Sequence, residues 1–252
     1  MRDSSKPTAL TIAGLDPSGG AGVVADTTTF AALGCHPMAV ITSLTYQNES
    51  GVFGANHQSA QVVRDQIEPL LQQPIHGVKT GMLPNREVID EVARFFADGA
   101  LPAPVVDPVM ISTSGHRLME DDAVDSFLSS LIHSALLITP NIPEAERLTN
   151  LEIKSETDMR QAADKLRRLG ARAVLIKGGH MNDQDAVDLL DHQGTVAVFR
   201  AERVRDVNVH GTGCMLSAAI AAGVAKKLEL ERAVREAKAF VLDVILSRVK
   251  NK

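Results

Sequence analysis

At 252 residues, 44% hydrophobic and 23% charged, the chain is long enough for a large core and too apolar to stay disordered. A net charge of −5 with no basic stripe excludes a polyanionic polymer as partner. Aromatics at 3% with no Trp leave no row of rings on which single-stranded nucleic acid could stack.

Two cysteines, Cys35 and Cys214, make neither a disulfide framework nor a zinc site. The first seven residues lack an apolar targeting core, and no run approaches the ~18–20 apolar residues that span a bilayer. The expectation is a soluble, cytoplasmic protein.

In chain order, Ala9–Ala13 is apolar and runs into Gly14, which predicts a first strand. Gly22–Leu33 predicts a helix with Val23, Phe30 and Leu33 on one face, Thr27 interrupting it and Gly34 ending it. Met38–Ser43 predicts a second strand. Ser59–Gln72 carries Val63, Ile67, Leu70 and Leu71 at helical spacing. Gly77–Gly81 is a short buried strand, Asn85–Ala97 a helix turning Val88, Val92, Phe95 and Phe96 inward, and Pro104–Asp107 a strand closing on an aspartate. Asp121–Ile132 predicts a helix and Leu136–Ile138 a strand ended by Thr139-Pro140-Asn141. Ser155–Asp158 resembles a capping box with Asp158 in the Glu position, opening a helix that runs to Leu169 and stops at Gly170. Ala173–Lys177 is a strand broken by Gly178-Gly179. Ala186–Leu190 and Thr195–Phe199 form a hairpin turning at His192-Gln193-Gly194, and two helices follow, the second from about Glu231 to Val249. This alternation, with continuously apolar strands and no linker or repeat, predicts one α/β domain over residues 1–252. Its mostly parallel sheet is covered on both faces. Ligands of such sheets sit beyond the carboxyl ends of the strands.

The residues there are informative. Val209-His210-Gly211-Thr212-Gly213-Cys214 is a glycine turn feeding a helix of small residues. Free amides and the helix dipole favour an anion at such a place, and a thiol there should lose its proton more easily. The same stretch also reads as a plain helix start. Gly14–Gly22 is a second glycine-rich loop, but it is neither G-x-G-x-x-G nor G-x-x-x-x-G-K-[ST]. Asp26 reads as a helix-start acid or a ligand group. Tyr46-Gln47-Asn48, after the second strand, offers paired amides for a heteroaromatic ring, or is a solvated turn. Asp107, Asn141 and Glu144 supply oxygens suited to Mg²⁺, with Glu144 alternatively a first-turn acid beside Pro143. Lys79 and Lys177, at strand ends, meet a phosphate or a nearby carboxylate. His180 and His210 assist the site or close loops.

Seven segments together resemble the hydroxymethylpyrimidine/phosphomethylpyrimidine kinases of thiamine biosynthesis, within the ribokinase-like superfamily. They are Ala13–Gly22, Thr45–Asn48, Lys79–Leu83, Val106–Met110, Thr139–Ala145, Lys177–His180 and His210–Cys214, in family order from about residue 9 to 245. The resemblance implies a three-layer ribokinase-like fold and two ATP-dependent transfers. The first is to the hydroxymethyl group of 4-amino-5-hydroxymethyl-2-methylpyrimidine, the second to the resulting monophosphate. It implies that Gly14, Asp26, Gln47, Met82 and Val109 surround the pyrimidine, and that Gly211, Thr212, Gly213 and Cys214 form the anion hole. Asn141 and Glu144 would place Mg²⁺, Asp107 would lie beside the phosphates, and Lys177 and Gly179 toward ATP. A homodimer is implied as well. Cys214 stands where many sugar kinases of the superfamily have an aspartate base; it could act as a thiolate base or form an adduct with an aldehyde such as pyridoxal.

The chain departs from the family pattern at Thr28 and Thr113, each in place of a lysine, at Tyr46, which could narrow the pocket, and at Met215. With two cations fewer, the second transfer is expected to be slower than the first. Two alternatives stand beside the kinase reading: a pyridoxal/pyridoxine kinase of vitamin B6 salvage, and a pyrimidine-binding protein without catalysis.

Overall fold

Strand β1 (Thr8–Leu15) is buried along all but its last residue, as a strand covered on both faces requires. It belongs to a computed structural model that describes residues 6–48, 50–112, 115–179, 185–202 and 211–250. The expectations for Thr113, His180 and His210 lie outside these residues. Helix α1 (Gly22–Ala32) follows, then β2 (His36–Asn48) and β3 (Gly51–His57). Helix α2 (Ala60–Ile67) tightens into a 3-10 turn at Glu68–Gln72, where Pro69 cannot donate to an α-helical bond. Next come β4 (Gly77–Thr80), α3 (Arg86–Ala97) and β5 (Val105–Val106). Helix α4 (Asp121–Ser126) passes through a π-turn at Phe127–Leu131 into α5 (Ile132–Ser134). Then follow β6 (Leu137–Ile138), α6 (Ile142–Thr149), α7 (Glu156–Arg168), β7 (Ala173–Lys177), β8 (Asp185–His192) and β9 (Thr195–Glu202). Helices α8 (Thr212–Ala225) and α9 (Leu230–Lys250) come last.

Among the described residues the strands form one sheet in the order β3-β2-β1-β4-β5-β6-β7-β8-β9. The six strands from β2 to β7 are parallel, and β3 at one edge and the β8–β9 hairpin at the other are antiparallel. Alternation along each strand divides the core. Leu10, Ile12, Val78, Val106, Ile138, Val174 and Ile176 meet helices α2 to α7 on one face. Ala9, Val105, Leu137, Ala173 and Leu175 meet α1, α8 and α9 on the other. The expected three layers are therefore present, and no helix of the described residues is long and apolar enough to cross a membrane.

Helix α8 is built from small residues because it lies backbone to backbone on the sheet. A Cβ at Gly77 of β4 would fall 2.6 Å from the Ala221 carbonyl oxygen, and one at Gly223 would fall 2.9 Å from the Ala233 Cβ on α9. Packing this close leaves α8 little room to slide.

Three expectations are corrected. The second strand continues past Ser43 to Asn48, so Tyr46-Gln47-Asn48 lies within it and not in a turn after it. The cause is β3, whose Gly-Val-Phe-Gly sequence carries no alternating pattern but pairs antiparallel with β2. The register shifts between Tyr46 and Gln47, so Tyr46 opposes Gly54 and Gln47 opposes Val52, leaving Phe53 bulged and 70% exposed. Tyr46 faces outward over Gly54 at 56% exposure and does not narrow the pocket. Lastly, the helix expected over Asp121–Ile132 contains the π-turn. Its wider turn accompanies burial of Phe127, Leu131 and the adjacent Ile132, and Ser130 Oγ donates to the Ser126 carbonyl at 2.7 Å.

Candidate active site

The glycine turn before α8 is shaped by contact with the loop after β1. Gly211 caps the helix at φ +83°, and a Cβ there would fall 1.8 Å from the Gly20 carbonyl oxygen. Gly22, at φ +58°, similarly leaves no room for a Cβ, which would fall 2.2 Å from the Gly14 carbonyl oxygen. The Gly14–Gly22 loop is itself organised by buried Asp16, whose carboxylate accepts from Ser18 N at 2.8 Å, Ser18 Oγ at 2.7 Å and Ala21 N at 2.9 Å. Two glycine loops thus interlock at the head of α8. Among the described residues, Met215 N is the first amide of the helix with an acceptor four residues back, Gly211 O at 2.9 Å. The amides of Thr212, Gly213 and Cys214 precede it and point out of the helix, as an anion requires.

Two lysines flank this cradle, each with an acid. Lys177 Nζ donates to Asp107 Oδ1 at 2.8 Å, and it lies 3.4 Å from where a Cβ on Gly213 would stand. Burial alone would raise Asp107, but Lys177, Lys79 and a 3.1 Å bond from Ser217 Oγ hold its carboxyl below the usual range. Lys79 Nζ donates to Asp26 Oδ2 at 2.7 Å, with neither side chain exposed. Thr11 Oγ1, opposite Lys79 in the parallel register, donates to the same oxygen at 2.6 Å. Burial pushes Asp26 up. It also works against Lys79, yet Asp26, Cys214 and Asp107 outweigh it and hold the ammonium above its usual range.

Asn141 and Glu144 form a reciprocal capping box at the start of α6. Asn141 Oδ1 accepts from Glu144 N at 2.9 Å, and Glu144 Oε2 accepts from Asn141 N at 2.8 Å. Burial pushes the Glu144 carboxyl up to about 7, with Lys177 pulling the other way. Glu144 is thus a helix-start acid that also lines the site's cavity.

A cavity of about 1120 Å³ joins these groups. Gly14, Gln47, Met82, Val109, Asp107, Asn141, Glu144, Lys177, Gly179 and the turn from Gly211 to Cys214 all line it. Gly14 and Met82 are mutually fitted, because a Cβ on Gly14 would meet the Met82 sulfur at 2.9 Å. Asp26 is the exception among the expected site residues. It has no exposed surface and lies behind the wall, reaching the cavity through Lys79. Its place inside α1, facing β1 and β4, makes it the buried counter-ion of Lys79, neither a helix-start acid nor a wall residue.

The thiol of Cys214 is a second correction. The helix end was expected to lower it. Instead, enclosure by protein pushes it up to about 11, although Lys79 and the Gly22 amide pull it down. Alkylation of Cys214 by iodoacetamide is accordingly expected to accelerate about tenfold per pH unit from pH 7 to 10, tracking the thiolate fraction. Peptide-level mass spectrometry would measure this, and a plateau below pH 8 would contradict the raised value.

Sequence reasoning missed Ser217, one helical turn beyond Gly213, which holds Asp107. Its i+4 spacing from Gly213 is the signal that could have found it. It also missed the far wall, where Asp188 accepts from Gly178 N at 3.0 Å and pairs with Lys238 of α9. No group of three or more His, Cys, Asp or Glu among the described residues forms a metal cage. The oxygens of Asp107, Asn141 and Glu144 still fit Mg²⁺, which takes one or two carboxylates and completes its shell with waters and phosphates.

The chain as a whole is similar to proteins already known. A family profile described as "Phosphomethylpyrimidine kinase" matches residues 16–252. A hydroxymethylpyrimidine/phosphomethylpyrimidine kinase from Rhizobium meliloti (strain 1021) is 44% identical over 238 residues, covering 92% of this chain and 88% of that one. The crystal structure of a phosphomethylpyrimidine kinase from Clostridium difficile 630 is similar with a TM-score of 0.85 at 38% identity, covering 95% of this chain and 100% of that one. A Staphylococcus aureus pyridoxal kinase, solved with AMP-PCP and pyridoxal, reaches a TM-score of 0.88 at 30% identity, covering 96% and 88%.

Proposed function

The chain belongs to the phosphomethylpyrimidine kinase family, and on that premise we propose a residue-level account of how its cavity works. The protein is a ribokinase-like phosphotransferase. Its reaction is ATP-dependent phosphorylation of 4-amino-5-hydroxymethyl-2-methylpyrimidine and then of the monophosphate, for thiamine biosynthesis. The observation that carries the account is the set of three outward amides of α8, opening on a cavity that Lys79 and Lys177 also line.

In this account the pyrimidine lies among Gly14, Gln47, Met82 and Val109, with the Gln47 amide reading ring nitrogen and amino group. The amides of Thr212, Gly213 and Cys214 hold the transferred phosphoryl group, and Lys177 neutralises it. Asp107 keeps Lys177 aimed, and Gly179 lies toward the nucleotide. The substrate hydroxyl oxygen bonds to the γ-phosphorus while the bond to the β–γ bridging oxygen breaks, ADP carries away that bond's electron pair, and the hydroxyl proton passes to an oxygen of the transferred phosphoryl group. Mg²⁺, held by Glu144 and Asn141 with Asp107 beside them, would supply charge neutralisation between the phosphates. Phosphoryl transfer asks mainly for positioning and neutralisation. A thiol that is neutral at pH 7 suits that demand, with the Cys214 amide doing more than its sulfur.

One sheet spanning both core clusters supports a single domain over 1–252. Exposed Leu44, Tyr46 and Phe53 on the edge hairpin support a homodimer, and two free thiols support a reducing, cytoplasmic setting. The test is an ATP-dependent assay with hydroxymethylpyrimidine, its monophosphate and pyridoxal in parallel, with Cys214→Ala beside the native protein. Turnover of both pyrimidines is expected, the second more slowly. Turnover of pyridoxal alone would move the protein to vitamin B6 salvage.

A further inference from the structure

We propose that Arg147 is a mobile phosphate-binding residue for the second transfer, released from an acid that keeps another partner. The inference rests on the kinase reading above. The monophosphate brings a dianion into a cavity whose inner lysines are already engaged, Lys79 by Asp26 and Lys177 by Asp107. Arg147 lines the same cavity from α6, one helical turn beyond Glu144 and on the same face. Through Asp121 it is tied to Arg117, which bridges to Ile111 on the segment that also carries Val109. Arg147 is thus linked both to the Glu144 end of the wall and to the segment that carries Val109. Arg200, Arg235 and Lys238, by contrast, line the wall built by β9 and α9.

Arg147 is held by Asp121 Oδ1 in an ion pair whose acid is 67% exposed. Such a pair is weak, because water screens it. The other oxygen, Asp121 Oδ2, is independently engaged by Arg117 Nη1 at 2.6 Å. When Arg147 turns toward the cavity, Asp121 keeps Arg117 and water, so no buried charge is stranded. A guanidinium so placed can bind two phosphate oxygens at once, which a neutral alcohol in the same position does not offer.

The test compares Arg147→Met, Arg147→Lys and Asp121→Asn with the native chain. It uses kcat and KM for both pyrimidines and for ATP, and calorimetric binding of the monophosphate without nucleotide. Arg147→Met is expected to weaken monophosphate binding about tenfold and to lower kcat/KM for it about tenfold more than for the unphosphorylated alcohol, with Arg147→Lys intermediate. Asp121→Asn, which removes the tether and keeps the cation, is expected to leave monophosphate binding unchanged or tighter. Equal losses for both pyrimidines, a loss confined to ATP, or the same loss in Asp121→Asn would overturn the proposal. Native protein that turns over neither pyrimidine would overturn the kinase reading and this inference with it.

Discussion

Gly211→Ala is expected to turn over about 10²–10³-fold more slowly than the native protein while remaining folded. Two effects act at this position. At φ +83° an L-residue is strained, and its Cβ would stand 1.8 Å from a backbone oxygen of Gly20 that cannot rotate away. The turn must move, and with it the amides of Thr212, Gly213 and Cys214. Donors that no longer point at the developing charge lose most of their value in a transition state, so kcat falls more than binding of ground-state substrate. Gly213→Ala is the informative comparison, because among the described residues its Cβ meets only the flexible end of Lys177, at 3.4 Å. Single-turnover kinetics on both variants, with thermal melts to confirm folding, should give a much larger loss at 211. Near-native rates for Gly211→Ala would mean that the cradle is not where the phosphoryl group is held.

The second large effect falls on stability. Lys79→Met leaves the Asp26 carboxylate buried with, among the described residues, only Thr11 as partner, and breaking a buried pair in this way costs about 3–5 kcal/mol. The pH dependence has a definite sign. Burial already raises Asp26 above its ordinary 3.8, and loss of Lys79 raises it further. A carboxyl raised by folding costs nothing below its unfolded value, and its cost grows as pH climbs toward the folded one. Urea unfolding should therefore show Lys79→Met closer to the native protein at pH 5 than at pH 8. Adding Asp26→Asn should restore much of the loss at pH 8, since no charge then remains inside. If the single variant is as stable as the native protein at pH 8, Lys79 is not the partner that keeps Asp26 ionised.

That pair also marks the limit of reading the chain as a string. The motifs named Asp26 and Lys79 separately, but nothing local says that a helix residue and a strand residue 53 positions apart share a buried ion pair. Parallel strands were legible because burial on both faces leaves runs such as Ala-Val-Leu-Ile. Strand β3 was not, because its glycines and exposed Phe53 follow no period and its pairing is set by β2. The cradle was legible, since Gly-Thr-Gly-Cys must turn and then coil. The thiol was misjudged because a helix end is a local feature, whereas enclosure comes from β4, β5 and the loop after β1. Gln47 was found but placed beyond the end of the second strand, since a bulge that re-aims a strand has no sequence mark here.

The packing of Gly211 on Gly20 has a consequence for how the chain is made. The two loops that lock together lie about 190 residues apart, and the face of the sheet that α8 covers belongs to β1 and β4, which precede it by more than 100 residues. During synthesis, the early strands can pair and gain α2 to α7 on one side while the other side still waits for the last helices. That waiting face, which holds Ala9, Val105, Leu137 and Leu175, is apolar. The nascent protein is thus most prone to misassociate just before it becomes active, and the contact that completes the anion hole is also among the last that shields the core.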